Sequence, residues 1–423
     1  MRIRIYIHIT AIIIAALMAI DARAQEDFTQ LPEVVRLDSN MLRFPGGVSE
    51  NFDNLVERID SVLLFGHGRI NIMHIGGSHV QADMYTHYIR QNLDSLNGCL
   101  HPARGFIFPY SIARTNNPLN YRVKYGGTWI SARNAKRQFY PAQGASGINV
   151  RTADTTAWFN IDLNTDSTQR YYTTRLRLFG RSYHGRTSPY ILMPDSAIVE
   201  PAGHDSASYI FNLNTAASQF GVRFHFMVDT AQSQLPDTFV VTGLYADNDE
   251  PGIVYNSIGV NGASVPSFLN CSDFERDLSY FPPDLVVFGI GINDATSSHF
   301  TDSLLYDNYA HLIDRIQQVA PNAAFIFITN NDSFMRIRRR YYVNKNGEVA
   351  RTAFYRLAAH YQGAVWDLFE IMGGLNSMAE WQKVHLAQRD KVHFTREGYN
   401  YVGRLFTNAF LNFYYDHDCN YGY

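Results

Sequence analysis

Cysteine is scarce in this 423-residue chain, and its three copies, Cys99, Cys271 and Cys419, are irregularly spaced. An odd, scattered set excludes a disulfide framework and a zinc site, and leaves room for one bridge whose pair the sequence does not choose. A dominant charge is also lacking. Against 36 Lys and Arg stand 39 Asp and Glu, a formal charge of -3, so no broad field exists to gather nucleic acid. Recognition must therefore be local. Past the N-terminus no apolar run is long enough to read as a membrane-crossing helix. Internal repeats and low-complexity tracts are missing as well.

What is present begins with an export signal. Arg2 and Arg4 precede an almost unbroken apolar run, Ile9 to Ile20, and Ala22-Arg23-Ala24 supplies small residues where a signal peptidase cuts. The run is too short to span a bilayer comfortably, which favours a cleaved signal peptide over residues 1–24 against an uncleaved anchor. The expected mature chain starts at Gln25, is periplasmic or secreted, and has no stable membrane insertion. No cysteine stands at the cut, so lipid attachment is not indicated.

The whole chain is 46% hydrophobic and 18% charged, and it is long enough for two or three domains. A polar lead-in reaches to about residue 50. Ile70 to Ile75 then reads as a buried parallel strand ending in Gly76-Gly77, followed by helical spacing from about Ala82 to Leu96. The alternation returns late. Strands are expected at Asp284–Ile290, Ala323–Thr329 and Ala364–Leu368, and helices at Leu304–Val319, Thr352–Tyr361 and Arg396–Phe413. Strands alternating with helices predict an α/β fold, a parallel sheet covered on both faces. From about Gly105 to Glu250 the pattern changes to period two, as in Phe220–Phe226, Thr174–Leu178 and Asp237–Tyr245, with turn-rich stretches such as Thr165-Asp166-Ser167 between. This predicts an antiparallel β-sandwich-like domain, residues 105–250, inserted into a discontinuous α/β domain made of 25–104 and 251–423.

Four short blocks carry the chemistry. In His74-Ile75-Gly76-Gly77-Ser78-His79 a serine follows a strand and a glycine turn and opens a helix, where its hydroxyl can face a cleft. Taken alone, a serine in a glycine turn is more often a helix cap. Ile258-Gly259-Val260-Asn261-Gly262 follows a strand at Gly252 to Tyr255, and Gly262 lets a backbone N–H approach a ligand closely. Phe288-Gly289-Ile290-Gly291-Ile292-Asn293 ends another strand at the sheet edge where ligands sit, and Asn293 can offer an amide N–H. In Asp390-Lys391-Val392-His393 a carboxylate three residues before an imidazole can hold Nδ1–H, leaving Nε2 to accept a serine proton.

Together, in this order and each at a strand end or loop, the blocks resemble the SGNH, or GDSL-like, hydrolases. That resemblance spans about 70–100 and 252–413 and implies a flavodoxin-like three-layer sheet. It makes Ser78 the nucleophile, His393 the base and Asp390 its orienter, with Ser78 N–H, Gly262 and Asn293 as the oxyanion hole. No metal or organic cofactor is implied. One position departs from the family pattern, since Gly77 stands where the family has an aspartate before the serine.

Export and the placing of a β-rich insertion between serine and glycine blocks resemble the periplasmic peptidoglycan O-acetylesterases, whose inserted domain is similar to carbohydrate-binding modules. The resemblance implies an O-acetylated glycan as substrate. Acetyl esterases of other polysaccharides, acyltransferases and a noncatalytic glycan-binding relative use the same scaffold and stay open. Other residues carry lesser expectations. His74 and His79 lack a nearby acid and read as supports or substrate contacts, and His385 competes weakly with His393. Arg336-Ile337-Arg338-Arg339-Arg340 reads as a solvated face or as a contact for anionic groups. Trp129 and Trp158 suit a core, with stacking on sugars as the alternative.

Overall fold

A computed structural model describes residues 30–136, 143–165, 170–227 and 237–421, with the side chains of 418–421 excepted. The expected signal segment 1–24, the Cys419 side chain and most of the Thr165–Ser167 turn lie outside the described residues.

Six strands form the central sheet, in the spatial order Leu42–Arg43, Ala364–Trp366, Ala324–Ile328, Leu285–Gly289, Arg69–Gly76 and Gly252–Gly259. All neighbours are parallel except the first, which adds an antiparallel edge. These strands are near-continuous apolar runs because both faces are covered. In Leu285–Gly289 the side chains of Val286 and Phe288 join Phe325 and Phe327 on one face, beneath the helices Asp302–Gln317 and Asn346–His360. Leu285 and Val287 join Ile70, Ile72 and Ile326 on the other, beneath Glu50–Phe65, Tyr85–Ser95 and Arg396–Tyr421. This is the SGNH hydrolase fold.

Between residues 105 and 247 the chain builds two antiparallel sheets. One is a five-stranded path centred on Gln219–Phe226; the other is seven-stranded and centred on Thr173–Ser182 and Phe239–Asp247. They meet through aromatic side chains, such as Phe224 against Phe239 with ring centroids 4.9 Å apart. Trp129 is buried between them against Phe159 and Phe224. The sandwich shares its core with the α/β half. Phe281 inserts between Phe106 and Tyr245, Asn256 accepts the Phe106 N–H at 2.8 Å, and the Tyr110 hydroxyl donates to the Gly259 carbonyl at 3.0 Å.

The helix expected from about Ala82 to Leu96 is found at Tyr85–Ser95, and a separate short turn of helix, Ser78–Gln81, precedes it. Asp83, at φ +47°, interrupts them because its carboxylate is drawn to the buried Arg90 and Arg104. The helix expected from Thr352 begins earlier, at Asn346, and the last helix runs on to Tyr421. Cys99 is exposed and Cys271 buried, and neither is bridged.

Candidate active site

Three glycines stand in one register row at the carboxyl edge of the sheet: Gly76 pairs with Gly259 on one side and Gly289 on the other. A Cβ on Gly76 would lie 2.2 Å from Val80 Cγ2, and one on Gly259 would lie 2.2 Å from the Gln81 nitrogen. Only glycines let the Ser78–Gln81 turn settle onto the strand ends. The serine is thereby held at the sheet edge rather than above it.

There its hydroxyl meets the fourth block. Ser78 Oγ and His393 Nε2 are 2.7 Å apart, and His393 Nδ1 is 2.7 Å from Asp390 Oδ2. The other carboxylate oxygen, Oδ1, accepts the backbone N–H groups of Val392 and His393, each at 3.0 Å. Burial raises the Asp390 pKa, but the hydrogen bonds from His393 and Val392 more than offset it and bring it down to about 2. A carboxylate that stays ionised holds Nδ1–H, which leaves Nε2 as the acceptor facing Ser78.

The second and third blocks flank the same spot. From an ideal Cβ on Gly77, Asn293 Nδ2 would be 3.3 Å away and the carbonyls of Ala263 and Val260 3.6 and 3.9 Å. Gly262 takes φ +83° in a turn closed by the Ala263 N–H on the Val260 carbonyl at 2.9 Å. Asn293 donates one amide hydrogen to the Ala263 carbonyl at 2.9 Å and keeps the second for another acceptor. Any side chain at position 77 would press on Asn293, so the departure from the family pattern here relieves crowding around the amide.

The remaining histidines divide. His74 is buried between the hydroxyls of Tyr255 and Tyr85 at 2.7 and 2.8 Å, and burial brings its pKa down to about 3. His79 is half-buried against the His393 ring and bonded through Nδ1 to the Tyr399 hydroxyl at 2.8 Å. Both are neutral supports. His385 is exposed, at φ +63°, and meets Thr395 only through its carbonyl. Trp158 is half-buried with the Arg223 guanidinium over its ring. Gln81 went unnoticed in the sequence, since a glutamine three residues after a serine carries no distinguishing pattern. Among the described residues no cluster of three His, Cys, Asp or Glu side chains is placed to hold a metal.

Residues 228–401 match the GDSL-like Lipase/Acylhydrolase family. Over that segment the chain is similar to GDSL-like hydrolases. The matched segment contains Gly262, Asn293, Asp390 and His393 and begins after Ser78. In solved structures the chain is similar to a peptidoglycan O-acetylesterase, with 18% identity and a TM-score of 0.71 over 89% of this chain and 99% of that one. A weaker likeness links it to an acetyl xylan esterase, at 20% identity and TM-score 0.28 over 36% of this chain and 78% of that one. A GDSL-like lipase from Bacteroides thetaiotaomicron gives 18% identity and TM-score 0.29 over 38% and 76%. No curated protein sequence matches. The fold is thus that of the SGNH hydrolases, and the matched segment is similar to lipases and acylhydrolases.

Proposed function

We propose that the protein is an exported acetylesterase that removes O-acetyl groups from a cell-wall glycan. The observation that carries the reading is the unbroken chain from Ser78 Oγ through both nitrogens of His393 to Asp390, two contacts of 2.7 Å. His393 Nε2 takes the hydroxyl proton as Ser78 Oγ attacks the acetyl carbonyl. The oxyanion is met by the Ser78 and Gly262 N–H groups and the spare Asn293 amide hydrogen. Collapse expels the sugar alcohol, which takes the proton from His393, and leaves an acetyl-serine. A water deprotonated by His393 then releases acetate and returns the proton to Ser78.

The glycan and the export rest on three supports: the signal-like N-terminus, the β-rich segment between serine and glycine blocks, and the likeness to a peptidoglycan O-acetylesterase. The deciding experiment compares acetate release from O-acetylated peptidoglycan with release from acetylated xylan, alongside labelling by a fluorophosphonate. Faster release from peptidoglycan with labelling at Ser78 is expected. Preference for xylan would move the substrate, and absence of both turnover and labelling would refute the esterase.

A further inference from the structure

The basic run of the sequence folds into a separate two-stranded hairpin, Phe334–Ile337 against Arg340–Val343. Its root is built into both halves of the catalytic site. On one side Phe334 N–H donates to the Lys391 carbonyl at 3.0 Å and the Asn331 amide to the Val392 carbonyl at 3.0 Å, bracing the loop between Asp390 and His393. On the other, the Asn344 and Asn346 amides donate to the Ala295 carbonyl at 3.1 and 2.8 Å, two residues beyond Asn293. The hairpin therefore rises from the seam between base loop and oxyanion loop.

Its tip is not built for stability. Arg338 and Arg339 form the two-residue turn at φ +46° and +69°. A turn with two positive φ angles suits Asn-Gly, and arginine is disfavoured at both places. Arg336, Arg338, Arg339 and Arg340 are all exposed, and none forms an ion pair among the described residues. Ile337, Tyr341 and Tyr342 are exposed beside them. Four guanidiniums without a carboxylate partner among the described residues, with Arg336 over the Tyr341 ring at 6.0 Å, have the chemistry to bind a carboxylate-bearing sugar polymer.

We propose that this hairpin is a substrate-binding finger that grips carboxylates on a polymeric glycan whose acetyl group lies at Ser78. The proposal rests on the esterase reading for the role of Ser78. An anionic lipid surface offers similar charge, but the hairpin's root in the two catalytic loops favours what is being hydrolysed.

The test uses Arg338→Asn with Arg339→Gly, a pair that suits the turn, so lost function cannot be ascribed to a weakened hairpin. In the full chain carrying Ser78→Ala, sedimentation with peptidoglycan sacculi reads binding without turnover. The turn variant should be retained about tenfold less, and raising salt should release the parent but change the variant little. In the chain with Ser78 intact, the ratio of kcat/KM on O-acetylated peptidoglycan to that on p-nitrophenyl acetate should fall about tenfold, mainly through KM. Equal retention of both proteins on sacculi, no retention of the parent, or binding to phosphatidylglycerol vesicles in place of sacculi would each overturn the proposal. Because retention is measured without the nucleophile, it fails or succeeds independently of the esterase reading.

Discussion

The side-chain oxygen of Gln81 accepts the Asn261 backbone N–H at 2.7 Å, tying the Ser78 turn to the turn that carries Gly262. The Gln81 amide donates to Thr115 Oγ1 and the Asn116 carbonyl, both at 2.9 Å, and Asn261 Nδ2 donates to the same threonine at 3.2 Å. One buried amide thus links the Ser78 turn, the Gly262 turn and a loop of the β-rich segment. On the proposed esterase reading Gln81 is a positioning residue, since its side chain bonds neither Ser78 nor His393.

Gln81→Leu keeps the volume and removes all three bonds. Small displacements of an oxyanion donor are costly, so kcat should fall about 10²-fold with KM changed far less. A steady-state assay on p-nitrophenyl acetate separates the two, and a uniform rise in KM at constant kcat would contradict the positioning role.

The triad residues should be unequal. Ser78→Ala and His393→Ala should each reduce kcat to a similar floor, because nucleophile and base act as one unit. Asp390→Asn should lose roughly 10²–10⁴-fold, since the carboxylate orients the imidazole without taking its proton. Asp390, at about 2, stays ionised at all working pH values and adds no acidic limb of its own. A full pH–rate profile on kcat/KM tests this, and a larger loss from His385→Ala than from His393→Ala would reassign the base.

Much of this was legible in the sequence where burial forces a continuous signal. The strands expected at Ile70–Ile75, Asp284–Ile290 and Ala323–Thr329 are found within a residue or two, because parallel strands covered on both faces must be apolar throughout. The Asp390–His393 contact was legible because both partners lie in one short loop. Less visible was whatever depends on distant partners. Leu42–Arg43 is too short to show a period and is a strand only because Ala364–Trp366 pairs with it. Asp83 breaks a helix-like stretch for the sake of Arg104, twenty-one residues on, and no local preference foretells that. The Arg338-Arg339 turn hides for a related reason, since its residues are those the turn conformation disfavours.

Asp83 itself should be a keystone of stability. Its carboxylate receives Arg90, Ser257 and Thr86 on one oxygen, and Arg104 and Asn120 on the other. Burial opposes its charge, yet Arg90 and Arg104 outweigh that and hold the pKa well below the usual carboxylate range. Asp83→Ala leaves two buried guanidiniums uncompensated, which typically costs about 3–5 kcal/mol. A folded pKa below the unfolded one means the contribution is complete above the unfolded pKa, about 4, and fades as pH drops below it. Urea titrations at pH 7 should show the loss, and a variant within 1 kcal/mol of the parent, roughly the error of such titrations, would deny the role.

His79 sits with its ring centroid 5.1 Å from that of His393, so the two imidazoles must not both be charged. Burial is the main reason His79 resists protonation, the nearby His393 charge adds to it, and Asp390 acts the other way; the outcome is a pKa of about 3. His74 reaches the same value by burial between two tyrosines. Both rings should therefore stay neutral across the working pH range, which keeps their positive charge away from His393. In an NMR titration of histidine-labelled protein, the ring resonances of His74 and His79 should hold their positions from pH 8 to about 4.5, a window well above their pKa. In the unfolded chain both imidazoles take up protons near the ordinary histidine pKa, about 6.5, so these two residues disfavour the folded state increasingly below that pH. Asp94, Asp277, Asp294 and Asp332 oppose them, because burial lifts each carboxyl to about 6 and makes its proton uptake favour the fold. Global stability against pH therefore mixes the two signs, and the resolved ring shifts are the cleaner measurement. A His79 ring resonance that titrates above pH 5 would show the ring to be solvated, and its place as a neutral brace beside His393 would be lost.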